Sequence, residues 1–507
     1  MRDMRVIKEL IHNMSIIRIE GSVEKQIEGI CFDAREVKDS CLFVAQKGTT
    51  ADGHNFIGQA IENGATCIVV ERMPESLEKG ITYLQVESSP HALAILACNF
   101  YNNPSHNLKL IGITGTNGKT TTATLLYRLF TNLGFTCGLL STVENKIGET
   151  TINATHTTPD AVHINQLLSQ MLDNGCRYCF MEVSSHAIVQ DRIGGLHFTG
   201  GIFTNITHDH LDYHKTFKDY IAAKKLFFDH LPKTAFALSN IDDNNGKVML
   251  QNTQAKRKTY SLQTVDCDFK AKINENGLEG INLSIDNENV WFQLAGKFNA
   301  YNLLSIYAAA VLLDIDKKEA LRVMSMLKPA EGRFSLLREN GKTVIIDYAH
   351  TPDALLNVLN TIVEIRKSNQ KIITVIGCGG DRDKTKRPEM AKIAHKLSDM
   401  LILTSDNPRS EDPDAIIEDM LKGIADEEQQ NVFINRDRRQ AIKLAISTAK
   451  TEDIVLIAGK GHEKYQEING VKSHFDDDEI AKEYLGVLAS INTVKKNQQS
   501  KIINLKS

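Results

Sequence analysis

A chain of 507 residues is too long for one hydrophobic core and should divide into about three domains. With 42% hydrophobic and 24% charged residues, a net charge of −4 and lysines interspersed with acids, it reads as a soluble globular protein without the basic footprint of a nucleic-acid binder. No apolar run reaches the length of a membrane span and Met1-Arg-Asp-Met-Arg5 lacks the apolar core of a signal peptide, so a cytoplasmic protein with no membrane span is expected.

Residues 1–105 alternate short strands and helices, with strands expected at 29–35, 40–45 and 65–70, as a small α/β unit. The polar loop 47–55 is rich in turn formers, and Tyr101-Asn-Asn-Pro-Ser-His106 punctuates the chain as a linker. Nine cysteines, odd in number and scattered from Cys31 to Cys378, are expected as reduced thiols. Cys176-Arg-Tyr-Cys179 has redox or zinc spacing, but no second pair accompanies it.

The stretch Leu110-Ile-Gly-Ile-Thr-Gly-Thr-Asn-Gly-Lys-Thr-Thr-Thr122 runs from an apolar strand through a glycine-rich turn into a helix. Gly115 and Gly118 allow the backbone to approach a polyphosphate, Lys119 can reach its terminal phosphates, and Thr120 can hold Mg²⁺. The hexamer is narrower than the common phosphate loop, whose first glycine would replace Ile113. From here to about residue 330, strands alternate with helical patterns, which predicts a mainly parallel sheet covered by helices. Ligands of such sheets lie beyond the strands' carboxyl ends. Two segments fit: Cys179-Phe-Met-Glu-Val-Ser-Ser-His186, where Glu182 with Thr120 would suit a hard cation, and the His- and Asp-rich run 204–214. In the amphipathic helix around Tyr220–Phe228, Lys224 or Lys225 must lie near the apolar face, which a snorkelling side chain would explain equally well. Gly296–Asn302 is expected to place two amides at the start of a helix 303–313.

Glu331-Gly-Arg-Phe334 marks the next boundary. Strands expected at 343–347, 371–377, 400–404 and 454–458 predict a dinucleotide-fold-like third domain. Each runs into a polar loop: Asp347-Tyr-Ala-His-Thr-Pro352, Gly377-Cys-Gly-Gly-Asp-Arg-Asp383, Ser405-Asp-Asn-Pro-Arg409 and Gly459-Lys-Gly-His-Glu463. Four such loops on one sheet edge predict a ligand-binding edge.

These motifs, with His156-Thr-Thr-Pro159, Ala222-Ala-Lys224 and Met181–Ala187, resemble the Mur ligase family over nearly the full length. The resemblance implies an N-terminal domain (1–105) for the UDP end of the substrate, a central ATPase domain (106–330) and a C-terminal amino-acid domain (331–507). It implies ligation of an amino acid to UDP-N-acetylmuramoyl-dipeptide through an acyl phosphate, with ATP as substrate; a monomer is expected, although nothing in the sequence itself specifies the oligomeric state. In that pattern Gly115, Thr116, Asn117, Gly118, Lys119, Thr120, Thr121, Asn302, Arg333 and Asp347 match ATP contacts, and Thr157, Thr158, Ser184, Gln190 and Arg192 match contacts to the UDP-muramoyl substrate. Thr120 and Glu182 match Mg²⁺ ligands, His210 a ligand of a second Mg²⁺, and Lys224 the lysine that CO₂ converts to a metal-binding carbamate, a reaction that needs a neutral amine. Arg382, Asp406, Asn407, Arg409, Gly459 and Glu463 match amino-acid contacts, and the Asp406-Asn-Pro-Arg409 motif resembles that of family members using meso-2,6-diaminopimelate. Arg409 would grip the distal carboxylate that lysine lacks. Ala34 stands where many relatives have Ser, so a hydroxyl contact to uracil does not carry over.

Overall fold

The structure is a computed structural model, and it describes residues 4–48, 51–154, 156–207 and 211–486. The chain divides into two compact units, one of Met1–Gly115, Leu126–Asn205 and Thr216–Thr259, the other of Thr116–Leu125, Ile206–Lys215 and Tyr260–Ser507. Among the described residues no helix is long and apolar enough to cross a membrane.

In the first unit, β1 (Ile16–Glu20), β2 (Gly29–Cys31), β3 (Cys41–Val44), β4 (Ala65–Val70) and β5 (Thr82–Val86) form a sheet in the order β1-β5-β4-β3-β2, parallel except for β1. Helix α1 (Ser89–Phe100), capped by the Ser88 hydroxyl, packs Leu93, Leu96 and Phe100 against Leu42, Val69 and Leu84. The strand expected over 29–35 stops at Cys31, because the Asp33 carboxylate takes the Arg35 N–H at 3.0 Å and starts a 3₁₀ turn instead.

The strand-turn-helix read from the sequence is β6 (Lys109–Thr114) followed by α2 (Lys119–Asn132). Beyond it come β7 (Cys137–Leu140), the hairpin β8 (Glu144–Ile147) and β9 (Thr150–Asn153), α3 (Ala161–Asp173), β10 (Tyr178–Glu182), α4 (Ser185–Val189), β11 (Gly200–Phe203), α5 (Phe217–Asp229), β12 (Phe236–Asn240) and β13 (Lys256–Ser261). The strands lie side by side as β9-β8-β7-β10-β6-β11-β12-β13. Register places Glu182 opposite Ile113 and Phe203 opposite Thr114, so β6, β10 and β11 release their loops from one edge.

In the second unit, β14 (Phe269–Gly277), β15 (Gly280–Ile285) and β16 (Glu288–Phe292) run antiparallel, unlike the parallel alternation expected up to residue 330. The two-residue connection Asp286-Asn287, with φ of 48° and 65°, selects a hairpin. Helix α6 spans Lys297–Leu312, so Asn302 lies well inside it, six residues past the Gly296 cap, and not at its start as expected. Then follow β17 (Ser335–Glu339), β18 (Lys342–Asp347), α7 (Pro352–Ile365), β19 (Ile372–Ile376), α8 (Lys386–Leu397), β20 (Met400–Leu403), β21 (Val432–Ile434), α9 (Arg438–Thr448), β22 (Ile454–Ala458), β23 (Tyr465–Ile468), β24 (Val471–His474) and α10 (Asp477–Leu485). The order β17-β18-β22-β19-β20-β21 is parallel apart from β17. Alternate residues face opposite layers: Ile345, Ile372 and Leu456 meet Leu355, Leu359 and Met390, while Val344, Ile373 and Val455 meet Ile442, Ala445 and Ile480. Asp347, Ile376 and Ala458 are in register and Leu403 pairs with Ile376, so the four polar loops leave one edge, as the sequence implied.

Candidate active site

After Thr114 the backbone passes through Gly115 (φ +151°) and Gly118 (φ +85°), conformations that side-chain-bearing residues rarely adopt. A Cβ on Gly118 would lie 2.6 Å from Asn302 Oδ1, and one on Gly115 would overlap Thr204 Oγ1. Lys119 Nζ donates to the Thr116 carbonyl at 2.7 Å, which holds the ammonium over its own loop at the positive end of α2. Thr116, Thr120 and Thr121 are buried. Asn117 Nδ2 donates to Asp353 Oδ2 at 2.8 Å.

Arg333 reaches the same loop: its Nη2 donates to Thr120 Oγ1 at 3.1 Å, while its guanidinium carbon lies 4.6 Å from the Tyr348 ring centre. Its Nε is buried and has no hydrogen-bond partner among the described residues. Asp347 Oδ2 accepts the Phe334 N–H at 2.7 Å. Burial pushes the Asp347 carboxyl up to about 6, against the opposing pull of Arg333 and two backbone N–H groups. The predicted nucleotide residues Gly118, Thr120, Asn302 and Arg333 are thus brought together, although the sequence separates them by up to 215 positions, 118 to 333.

In the first unit, every residue matched to the UDP-muramoyl substrate falls into one network. Thr158 Oγ1 donates to the Glu182 carbonyl at 2.8 Å and accepts the Ser184 N–H at 3.1 Å. Arg192 Nη1 donates to the Thr158 carbonyl at 2.8 Å, and its Nε and Nη2 donate to Gln190 Oε1. Thr142 links Thr157 to the fully buried Glu182: its hydroxyl meets Thr157 Oγ1 at 3.1 Å, and its N–H donates to Glu182 Oε1 at 2.8 Å. Nothing in the local sequence around Thr142 marks this role. The ambiguity on α5 is resolved: Lys224 is 1% exposed and donates to the Gly115 carbonyl at 2.9 Å, whereas Lys225 pairs with Asp229 at 2.7 Å. His210, the remaining matched ligand, lies outside the described residues.

On the four-loop edge, Asn407 is the hub. Its Nδ2 donates to Glu463 Oε2 at 2.7 Å, and its Oδ1 accepts Lys460 Nζ and the Glu467 N–H, each at 3.0 Å. Lys460, fully buried, also pairs with Glu463 at 3.2 Å; its place between two glycines was the available signal for it. Burial, reinforced by the Asp406 carboxylate, raises the Glu463 carboxyl above its ordinary value, with Lys460 opposing. Gly459 sits at φ +114°, where a Cβ would lie 2.7 Å from Asp406 Oδ2. Arg409 donates through Nη1 to the Gly380 carbonyl at 2.7 Å, and its Nε is 3.8 Å from Glu467 Oε2. Arg382 is exposed on its loop and is not drawn into the Asn407 hub. Among the described residues none of the nine cysteines forms a disulfide, and Cys176 and Cys179 are buried.

Three family matches span these features: residues 26–101 match the Mur ligase family catalytic domain, 113–311 the Mur ligase middle domain, and 332–461 the Mur ligase glutamate ligase domain. A relative from Cytophaga hutchinsonii, UDP-N-acetylmuramoyl-L-alanyl-D-glutamate–2,6-diaminopimelate ligase, is 55% identical over 484 residues, covering 95% of this chain and 99% of its own. The chain belongs to the Mur ligase family. Mur ligases are ATP-dependent amide ligases, and the three-domain Mur ligase fold is that of this chain. A protein of the same name as the Cytophaga relative, from Phocaeicola vulgatus, is 52% identical over 478 residues, covering 94% and 99%. A solved structure of a Mur ligase with that name is 31% identical and superposes with a TM-score of 0.68 over 96% of this chain and 100% of its own.

Proposed function

We propose that this chain ligates meso-2,6-diaminopimelate to UDP-N-acetylmuramoyl-L-alanyl-D-glutamate in peptidoglycan precursor synthesis, converting ATP to ADP and phosphate. A carboxylate and an amine exchange protons in water and do not condense. The substrate carboxylate oxygen therefore attacks the γ-phosphorus, ADP leaves, the amine attacks the acyl phosphate carbon, and phosphate departs. In this reading residues 1–105 hold the uridine end, 106–330 bind ATP and 331–507 present the amino acid. Lys119 and Arg333 meet phosphate charge, and the buried Arg333 Nε is a donor suited to an anion. Thr158, Ser184 and Arg192 orient the muramoyl-peptide.

Of the residues matched to Mg²⁺ ligands, each taken by itself has donor chemistry that suits a divalent cation: Thr120 offers a hydroxyl and Glu182 a buried carboxylate. A bound cation would neutralise phosphate oxygens. Lys224 has the burial that carbamate formation requires, the amine giving up a proton as its nitrogen bonds CO₂. The reading takes the protein as a cytoplasmic monomer, which sedimentation would test.

The observation that carries the choice of amino acid is Arg409, an arginine held by the Gly380 carbonyl at the edge where the four loops converge. Phosphate release should require ATP, the UDP-dipeptide and meso-diaminopimelate together, with L-lysine a poor replacement. Equal turnover of L-lysine would overturn the assignment of the third residue, and release without any amino acid would overturn ligation.

A further inference from the structure

Loops 377–383 and 405–411 leave neighbouring strands β19 and β20, and the backbone bond from Gly380 N–H to the Asn407 carbonyl at 2.9 Å joins their tips. A side-chain device lies behind that bond. Arg387, in the first turn of α8 and 1% exposed, donates through Nη2 and Nη1 to the two carboxylate oxygens of Glu411 at 2.8 and 3.1 Å, and through Nη1 to Asp419 at 3.0 Å. The same Glu411 takes the Asp381 N–H at 2.6 Å and Lys384 Nζ at 2.9 Å. Ser410 adds a bond to Asp381 at 2.6 Å. One carboxylate from the second loop therefore gathers a helix, a flanking lysine and a backbone amide of the first. Arg409 lies two residues before Glu411 and takes its own position from the Gly380 carbonyl of that first loop.

We propose that Arg387 and Glu411 are positioning residues for amino-acid selection, their ion pair stapling loop 377–383 to loop 405–411 so that Arg409 is aimed at the distal carboxylate of the incoming amino acid. The proposal rests on the reading of Arg409 given above. An ion pair built on a buried arginine and a half-buried carboxylate is a poor device for stability, because apolar replacements of equal volume often match a desolvated pair, whereas it fixes geometry through directional bonds. Here the cost of burial includes an Arg387 Nε that has no hydrogen-bond partner among the described residues. The Arg387 guanidinium also holds the Glu411 carboxyl down to about 2, so the staple is closed throughout the neutral range. Neither residue touches the Asn407 hub directly, so they act through the loops.

The test uses the full chain with Glu411→Gln, which keeps shape and removes charge, and Arg387→Lys, which keeps charge and removes the fork. Amide hydrogen exchange in both variants should rise about tenfold or more at 377–383 and 405–411 together, with β22 unchanged. The Michaelis constant for meso-diaminopimelate should rise about tenfold, while those for ATP and the UDP-dipeptide stay within about twofold. Wild-type exchange in both loops, or equal rises for all three substrates, overturns the staple. If the wild type does not ligate meso-diaminopimelate, the proposed function falls and the exchange arm alone decides whether the two loops are stapled.

Discussion

At the scale of single residues, Lys119 and Arg409 carry separable charges. Lys119→Ala should lower turnover by roughly 10²–10³-fold or more while far-UV circular dichroism and melting stay those of wild type, because the lysine rests on a loop carbonyl and not in a core. Arg409→Ala should raise the Michaelis constant for meso-diaminopimelate by roughly 10- to 100-fold, from loss of a charge-assisted pair worth about 1.5–3 kcal/mol, and leave that for ATP nearly unmoved. Asp347 provides a pH test. Its carboxyl lies at about 6 when folded against 3.8 ordinarily, so the folded state binds that proton more tightly. The associated stability is present below about pH 4 and is lost as pH rises through 6, an effect of order 3 kcal/mol. Asp347→Asn cannot ionise, so its melting temperature relative to wild type should increase between pH 4 and 7. A constant difference would show that burial does not set the Asp347 equilibrium.

At the scale of elements, the second unit contains a fully buried ion pair that ties α9 to α10. Arg438 Nε and Nη2 donate to Asp477 at 2.9 and 2.7 Å, and Nη2 also donates to the Ala458 carbonyl at the end of β22. Both side chains are 0% exposed, so removing one strands the other's charge in the core. Asp477→Asn should cost about 3–5 kcal/mol in urea unfolding. The double variant Arg438→Met/Asp477→Leu should recover most of that loss, since no charge is left behind. Recovery in the double variant no better than in Asp477→Asn would mean that packing at these positions, not charge burial, governs the cost.

At the scale of the whole molecule, thiol chemistry reports on burial throughout the chain. Burial pushes Cys67, Cys98, Cys137 and Cys378 up to about 12, and only Cys31 and Cys267 are even partly accessible. Alkylation of native protein near pH 7.5, read by mass spectrometry, should label Cys267 first and Cys31 only slowly, because the contact of Cys31 with Cys41 Sγ at 3.2 Å and its burial raise that thiol far above its ordinary value, with all nine reacting in guanidinium. Early labelling at Cys179 in β10, or at Cys176 just before it, would contradict the burial of both thiols.

The sequence by itself determined whatever depends on neighbours along the chain. The turn at Gly115–Thr120 was legible because its chemistry sits in six consecutive residues between an apolar strand and the body of a helix. The open edge of four loops was legible because parallel strands buried on both faces read as apolar runs that end in polar punctuation. The Asp286-Asn287 hairpin carried a turn signal masked by the helix-strand alternation around it, and the start of α6 was hidden because Asn299 and Asn302, poor helix formers, interrupt the apolar pattern of its first two turns. Only the tertiary structure decided between Lys224 and Lys225, since both lie close to the apolar stripe and the choice depends on where Gly115 packs. Only it joined Arg387 to Glu411, Arg438 to Asp477 and Lys460 to Asn407, pairs separated by 24, 39 and 53 positions. A charge in a sequence carries no mark of its burial or its partner; both follow from how distant strands come into register.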